Sequence, residues 1–217
     1  MDRKRLSLKK TIMTKLELRN KLQKIGANMS NVPEDLFEQM EKYGLKTDED
    51  KFRFLANCLN ETGGFKVFKE NLFYTTPSRL VAVFPSAFRS KYNPNDYLRD
   101  SVKLANLVYD DRKFPKGLGN IYDGDGSKFI GRGAIQTTGR NNYTQLSKDT
   151  GIDFISHPEW LEKPPYNFIS ALYYWKKHNL SAKPSLLATR QVIAGNYTNN
   201  PFGFKEVQNW YNKLKVA

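Results

Sequence analysis

Cysteine is almost missing from this chain: Cys58 is the only one in 217 residues. No intrachain disulfide can form, so nothing points to oxidative maturation. Histidine is scarce too. His157 and His178 are the only two, and neither lies in a motif that would make Cys58 a nucleophile. Within "FLANCLNE" that thiol reads as a small core residue. No apolar run approaches membrane-spanning length. The start, "MDRKRLSLKKTIM", is basic but lacks the apolar stretch of a secretory signal peptide. The chain is therefore expected to be made in the cytoplasm, and to need release by another agent if it acts outside. Repeats, low-complexity blocks and composition shifts are also missing. This favours one domain over residues 13–217 behind a loosely ordered basic tail at 1–12.

What the chain has in excess is positive charge. The net charge is +13, unevenly spread: residues 1–24 carry nine Lys/Arg against two acids, whereas residues 31–70 carry nine acids against six bases. Such a balance suits a polyanionic partner, whether nucleic acid, an anionic membrane surface or a cell-wall polymer; a solvated, solubilising tail accounts for the first residues equally well. Aromatic residues reach 13%. Most are expected to pack the core, although ring faces also stack on sugars.

The pattern is mostly helical. "TKLELRNKLQKIG" spaces Leu16, Leu18, Leu22 and Ile25 as a helix closed by Gly26, and "VPEDLFEQMEKYG" runs from Pro33 to Gly44. "TDEDKFRFLANCLNETGG" opens on Thr47 and Asp50, a capping box one carbon short. Pro85 divides "SRLVAVFPSAF", Thr138 is expected to cap the helix that Gly151 ends, and Pro165 to start a strongly apolar helix. The glycine-rich stretch from 113 to 140 reads as loops with a short strand or two. Asp123 and Asp125 in "YDGDGS" read as turn residues, since the later ligands of a calcium loop are missing. "GRG" is too short for a phosphate cradle.

The third helix carries the chemistry. Phe54, Cys58 and Glu61 share a line at steps of four and three, beside an apolar stripe of Phe52, Leu55, Ala56 and Leu59. Glu61 is thereby expected on a buried side, where desolvation would keep it protonated as a general acid needs. The competing expectation is a helix-ending glutamate in solvent. On an unbroken helix Glu70 would lie roughly 13 Å further along the axis, but Gly63 and Gly64 let the chain turn back so that it faces Glu61. Two carboxylates across a gap is the layout of glycosidic hydrolysis.

"NETGGF", "KENLFY" and "GDGSKFIGRGAIQTTGRNNY" together resemble the catalytic core of family-19 glycoside hydrolases. The likeness is strongest to the compact branch found in bacteriophage endolysins and spans roughly residues 54–145. The resemblance implies a mainly α (α+β) fold, a lysozyme-like helical body with a small β-sheet region beside the cleft. It implies Glu61 as general acid, Glu70 as second carboxylate and Thr138 as the hydroxyl holding the attacking water. Gln136, Asn142 and Tyr143 match substrate-contacting positions. No metal or organic cofactor is implied. Two departures stand out: Asn60 replaces the family histidine before the acid, and "IAGN" at 193–196 replaces I-N-G-G.

The expected reaction is inverting hydrolysis of the β-1,4 bonds of bacterial peptidoglycan by an endolysin-type enzyme acting in host cell lysis. The basic first residues would anchor it to the anionic envelope. A monomer is expected, and nucleic acid is not an expected partner. The alternatives are a chitinase, a lytic transglycosylase, and a non-catalytic wall- or nucleic-acid-binding protein on the same scaffold.

Overall fold

A computed structural model describes residues 13–217; the proposed tail at 1–12 lies outside the described residues. Eleven α-helices occur among those described: α1 (Lys15–Lys24), α2 (Leu36–Lys42), α3 (Asp48–Glu61), α4 (Pro77–Val83), α5 (Pro85–Phe88), α6 (Ser101–Val108), α7 (Asp125–Lys128), α8 (Arg140–Thr150), α9 (Ile169–Lys177), α10 (Leu186–Ala194) and α11 (Phe204–Val216). The mainly helical fold class is as the sequence predicts. Thr47 and Asp50 form the reciprocal capping box at the start of α3, and Pro85 opens α5 as its first residue. Gly26, Gly44 and Gly151 all sit past helix ends at positive φ.

Two expectations are corrected. Thr138 does not cap α8; Gly139 stands at the cap, and the Thr138 hydroxyl donates to the Gln136 carbonyl at 2.9 Å. The apolar helix α9 begins at Ile169 rather than at Pro165. The expected sheet region consists of two isolated antiparallel bridges, Lys69 with Arg132 and Arg132 with Thr137. The ladder stops there because Gly133 and Gln136 both adopt positive φ and turn the chain back on itself. Asp125 is buried at the start of α7 and pairs with Arg140, whereas Asp123 is exposed and pairs with Arg112 at 2.8 Å.

Helix α3 is the axis of the fold. Every residue from Asp50 to Leu59 is buried, not merely its apolar stripes, because α11 packs along it. The charged members are compensated. Lys51 has no exposure, pairs with Glu41 at 3.0 Å and lies over the Phe37 ring. Arg53 pairs with Asp50 and donates to the Lys183 carbonyl at 2.7 Å. Buried charges are tolerated only with such partners. Cys58 is buried here, and burial together with the charge of Glu61 pushes its thiol well up. This α3 core includes Leu18, Phe68, Leu172 and Leu214. A second core gathers Leu72, Leu80, Phe88 and Leu104, and a third Phe129, Tyr143, Phe154 and Leu161. Glu70 lies in the segment that crosses from the first core, at Phe68, to the second, at Leu72.

Candidate active site

Glu61 is the last residue of α3. Beyond it Thr62 caps the helix, its hydroxyl donating to the Cys58 carbonyl at 2.6 Å and accepting from the Phe65 N–H. Gly63 and Gly64 then take φ values of 58° and 83°, which glycine adopts without steric penalty. The reversal brings the chain back beneath α11, with Trp210 beside Gly64. The predicted turn between the two glutamates is therefore present.

The surroundings of Glu61 differ from the expected apolar pocket. Its side chain is 27% exposed and its Oε1 accepts from the Arg190 guanidinium and, at 3.3 Å, from the Asn60 amide. Arg190 is buried on α10 and also donates to the Phe202 carbonyl at 2.8 Å. A Cβ on Gly203 would lie 3.0 Å from both the Arg190 guanidinium and the Asn60 amide, so this close approach needs glycine. Both donors address Oε1, and Oε2 has no hydrogen-bond partner among the described residues. Asn60, where the resemblance places histidine, thus takes part in holding the carboxylate.

Glu70 is held by a separate set. Its backbone N–H donates to the Gly131 carbonyl at 2.9 Å, and the Gly131 N–H donates back to the Glu70 side chain. Tyr109, at the end of α6, donates its hydroxyl to Glu70 Oε2 at 2.7 Å. Burial, then the charge of Glu70 and this bond, hold the Tyr109 phenol far above its usual range, so it stays a donor. Gly131 is the meeting point. A Cβ built there would lie 3.2 Å from Glu70 Oε1, 3.2 Å from Thr138 Oγ1 and 2.9 Å from Gln136 Oε1. Three predicted residues therefore gather so closely over Gly131 that a side chain there would crowd all of them.

Asn142 is exposed one turn into α8 and donates to the Thr138 carbonyl at 2.8 Å. With Gln136 and Thr138 it lines a cavity of about 260 Å³, closed on the other side by Tyr173, Tyr174 and His178 of the α9 end. Tyr143 is placed otherwise. It has no exposure, and its hydroxyl donates to the Ile130 carbonyl at 2.9 Å. Burial raises its phenol to about 12, although Arg132 beside it pulls the other way. Its side chain supports the wall under Gly131 rather than touching a ligand. Arg132 completes that support through Glu162 at 2.7 Å.

Arg190 and Tyr109 are the site residues that sequence reasoning missed. The one available signal was an arginine inside an otherwise apolar helical stretch, "LLATRQVIA". Tyr109 is one of twelve tyrosines, and no local spacing singles it out. Among the described residues, no cluster of His, Cys, Asp and Glu could hold a metal ion. The arrangement itself suits acid–base chemistry: one carboxylate beside a guanidinium, another close to a hydroxyl and an amide oxygen.

Residues 112–203 match the family model described as chitinase class I, a span that includes Thr138 and Arg190 but neither glutamate. A Haemophilus influenzae protein described as a glycosyl hydrolase family 19 domain-containing protein is 35% identical over 158 residues, which is 72% of this chain and 76% of the relative. Endochitinase A2 of Pisum sativum is 34% identical over 74 residues, 34% of this chain and 22% of that one. Among solved structures, chitinase C of Streptomyces griseus shares the fold with a TM-score of 0.57 at 17% identity, covering 94% of this chain and 75% of that one.

Proposed function

The chain belongs to glycosyl hydrolase family 19, and from that membership we propose that it cleaves β-1,4 bonds between N-acetylated amino sugars by single displacement, with residues 13–217 as the catalytic unit. The observation that carries this reading is the convergence of Glu70, Thr138 and Gln136 on Gly131. A water held outside Gly131, between Glu70 and Thr138, gives one hydrogen to Glu70 Oε1, the general base, and the other to Thr138 Oγ1. Thr138 is free to accept because its own proton goes to the Gln136 carbonyl. The water's lone pair is left to attack the anomeric carbon. Glu61 is the acid of this scheme, delivering a proton from Oε2 to the leaving oxygen, while Arg190 steadies the carboxylate that results. Attack opposite the leaving group inverts the anomeric centre. Proton NMR of the first-formed product should show the inverted anomer; a retained one rules the mechanism out.

The substrate proposed is bacterial peptidoglycan, cut between N-acetylmuramic acid and N-acetylglucosamine in an endolysin-type role, with the basic residues 1–12 as an envelope anchor. The charge of +13 supports it, because the wall is anionic and chitin is nearly neutral. Chitin is the second reading, favoured by the names of the plant and Streptomyces proteins to which this chain is similar. Reducing-end release from both polymers, wild type beside Glu61→Gln, separates these readings. Mass identification of the new ends tells a muramidase from a glucosaminidase. Release by neither protein from either polymer points instead to a binding scaffold.

A further inference from the structure

The cavity at Thr138 continues beyond the acid–base centre. Gln145, Tyr173 and Lys177 line it, and the same three residues line a second cavity of about 790 Å³. Its outer walls are Lys42 and Tyr43 at the end of α2, Lys176 at the end of α9, and Asp149 and Thr150 at the end of α8. The two cavities adjoin across Gln145, Tyr173 and Lys177, so that they flank one another along a common groove wall with Tyr173 at its waist.

Three lysines from two helices thus face one groove. Lys42, Lys176 and Lys177 make no ion pair among the described residues. A basic residue in the last turn complements each helix dipole, and this explains each lysine alone. It does not explain their meeting across a groove joined to the candidate active site. Asp149 is the one acid in the lining. Its Oδ2 is taken by the Tyr173 hydroxyl at 2.6 Å and the Gln145 amide at 2.8 Å, bonds that fix the waist. The lining keeps a surplus of positive charge. Lys177 lies over the Tyr173 ring and Lys176 over the Tyr43 ring, so ammonium groups and aromatic faces alternate along the walls.

We propose that this groove is a subsite for a carboxylate-bearing unit of the glycan, with Lys42, Lys176 and Lys177 engaging its acidic substituents and Tyr43 and Tyr173 flanking the sugar. The inference deepens the peptidoglycan reading and rests on it. A neutral amino-sugar polymer has no group for these lysines; a chain carrying lactyl or peptide carboxylates on alternate sugars does.

The test uses Lys42→Glu/Lys176→Glu, whose residues line only the outer cavity. A control, Lys46→Glu/Lys205→Glu, makes the same change in net charge elsewhere on the exposed surface. Both are assayed on a soluble N-acetylglucosamine–N-acetylmuramic acid oligomer with free carboxylates and on a neutral N-acetylglucosamine oligomer. Reversing two exposed charges should raise KM for the acidic oligomer about tenfold. It should leave kcat and the neutral substrate unchanged, and the difference should shrink at high salt. The control should match wild type. Equal effects on both oligomers, or none, overturn the subsite. If wild type cleaves only the neutral oligomer, the peptidoglycan reading fails separately. The acidic oligomer then serves as a competitor of neutral hydrolysis: inhibition weakened about tenfold in Lys42→Glu/Lys176→Glu retains the subsite, and no inhibition overturns it.

Discussion

Replacing Arg190 with methionine removes the guanidinium from Glu61 and from the Phe202 carbonyl while keeping most of the buried stem. A hydrogen bond to a charged partner contributes about 1.5–3 kcal/mol and one to a neutral carbonyl about 0.5–1.5 kcal/mol, so the loss should be about 2–4 kcal/mol. The larger penalty of breaking a fully buried pair does not apply, because water reaches the Glu61 side chain at 27% exposure. For a chain of this size the loss corresponds to a fall in Tm of roughly 5–15 °C. Urea unfolding of Arg190→Met, Glu61→Gln and the double variant isolates the pair. The coupling energy should be about 1–3 kcal/mol. A coupling under about 0.3 kcal/mol would falsify the claim that Arg190 holds Glu61.

Gly131→Ala should lower kcat by about 100-fold, because its methyl group would push against the Glu70, Thr138 and Gln136 oxygens and displace them; activity near wild type contradicts a need for their present alignment. Tyr109→Phe removes the hydroxyl bond to Glu70 and should reduce kcat about tenfold with KM unchanged; a change confined to KM contradicts the proposal that Tyr109 positions Glu70 as a base. Asp110 and Asp125 are both held below the usual carboxylate range. Arg112 does this for Asp110; for Asp125 burial acts the other way, and the bonds from Arg140 and the Tyr122 N–H outweigh it. The folded state then binds fewer protons than the unfolded one, so their stabilisation is complete above the unfolded values, near pH 4, and is lost as pH falls through the folded values. Asp125→Asn should flatten the fall of the urea midpoint between pH 5 and pH 3, and an unaltered slope contradicts the assignment.

The helices and their ends could be read from sequence because their signals are local. Thr47 with Asp50, the glycines at 26, 44 and 151, and Pro85 each act within one turn of chain. The Gly63–Gly64 reversal was legible for the same reason. The environment of Glu61 was not, since its position on α3 indicates which face it shares but not that Arg190, 129 residues later, arrives there. Thr138 was misread as a cap because a hydroxyl before a helix fits that role locally; the carbonyl of Gln136, set by the positive φ at that residue, takes its proton instead. Tyr143 lay within a motif shared with substrate-contacting positions, yet α8 turns its ring into the third core.

The lone thiol in α3 makes the protein its own stopwatch. Cys58 lies three residues before Glu61 on the same helix, buried and held in its unreactive protonated form. A thiol reagent can modify it only when α3 opens, since the thiolate is the attacking species. With no second cysteine to blur the signal, the labelling rate under native conditions counts the openings of the one helix that carries Glu61. Labelling slowed by a bound oligosaccharide would then measure, in units of time, how firmly the occupied cleft closes that helix.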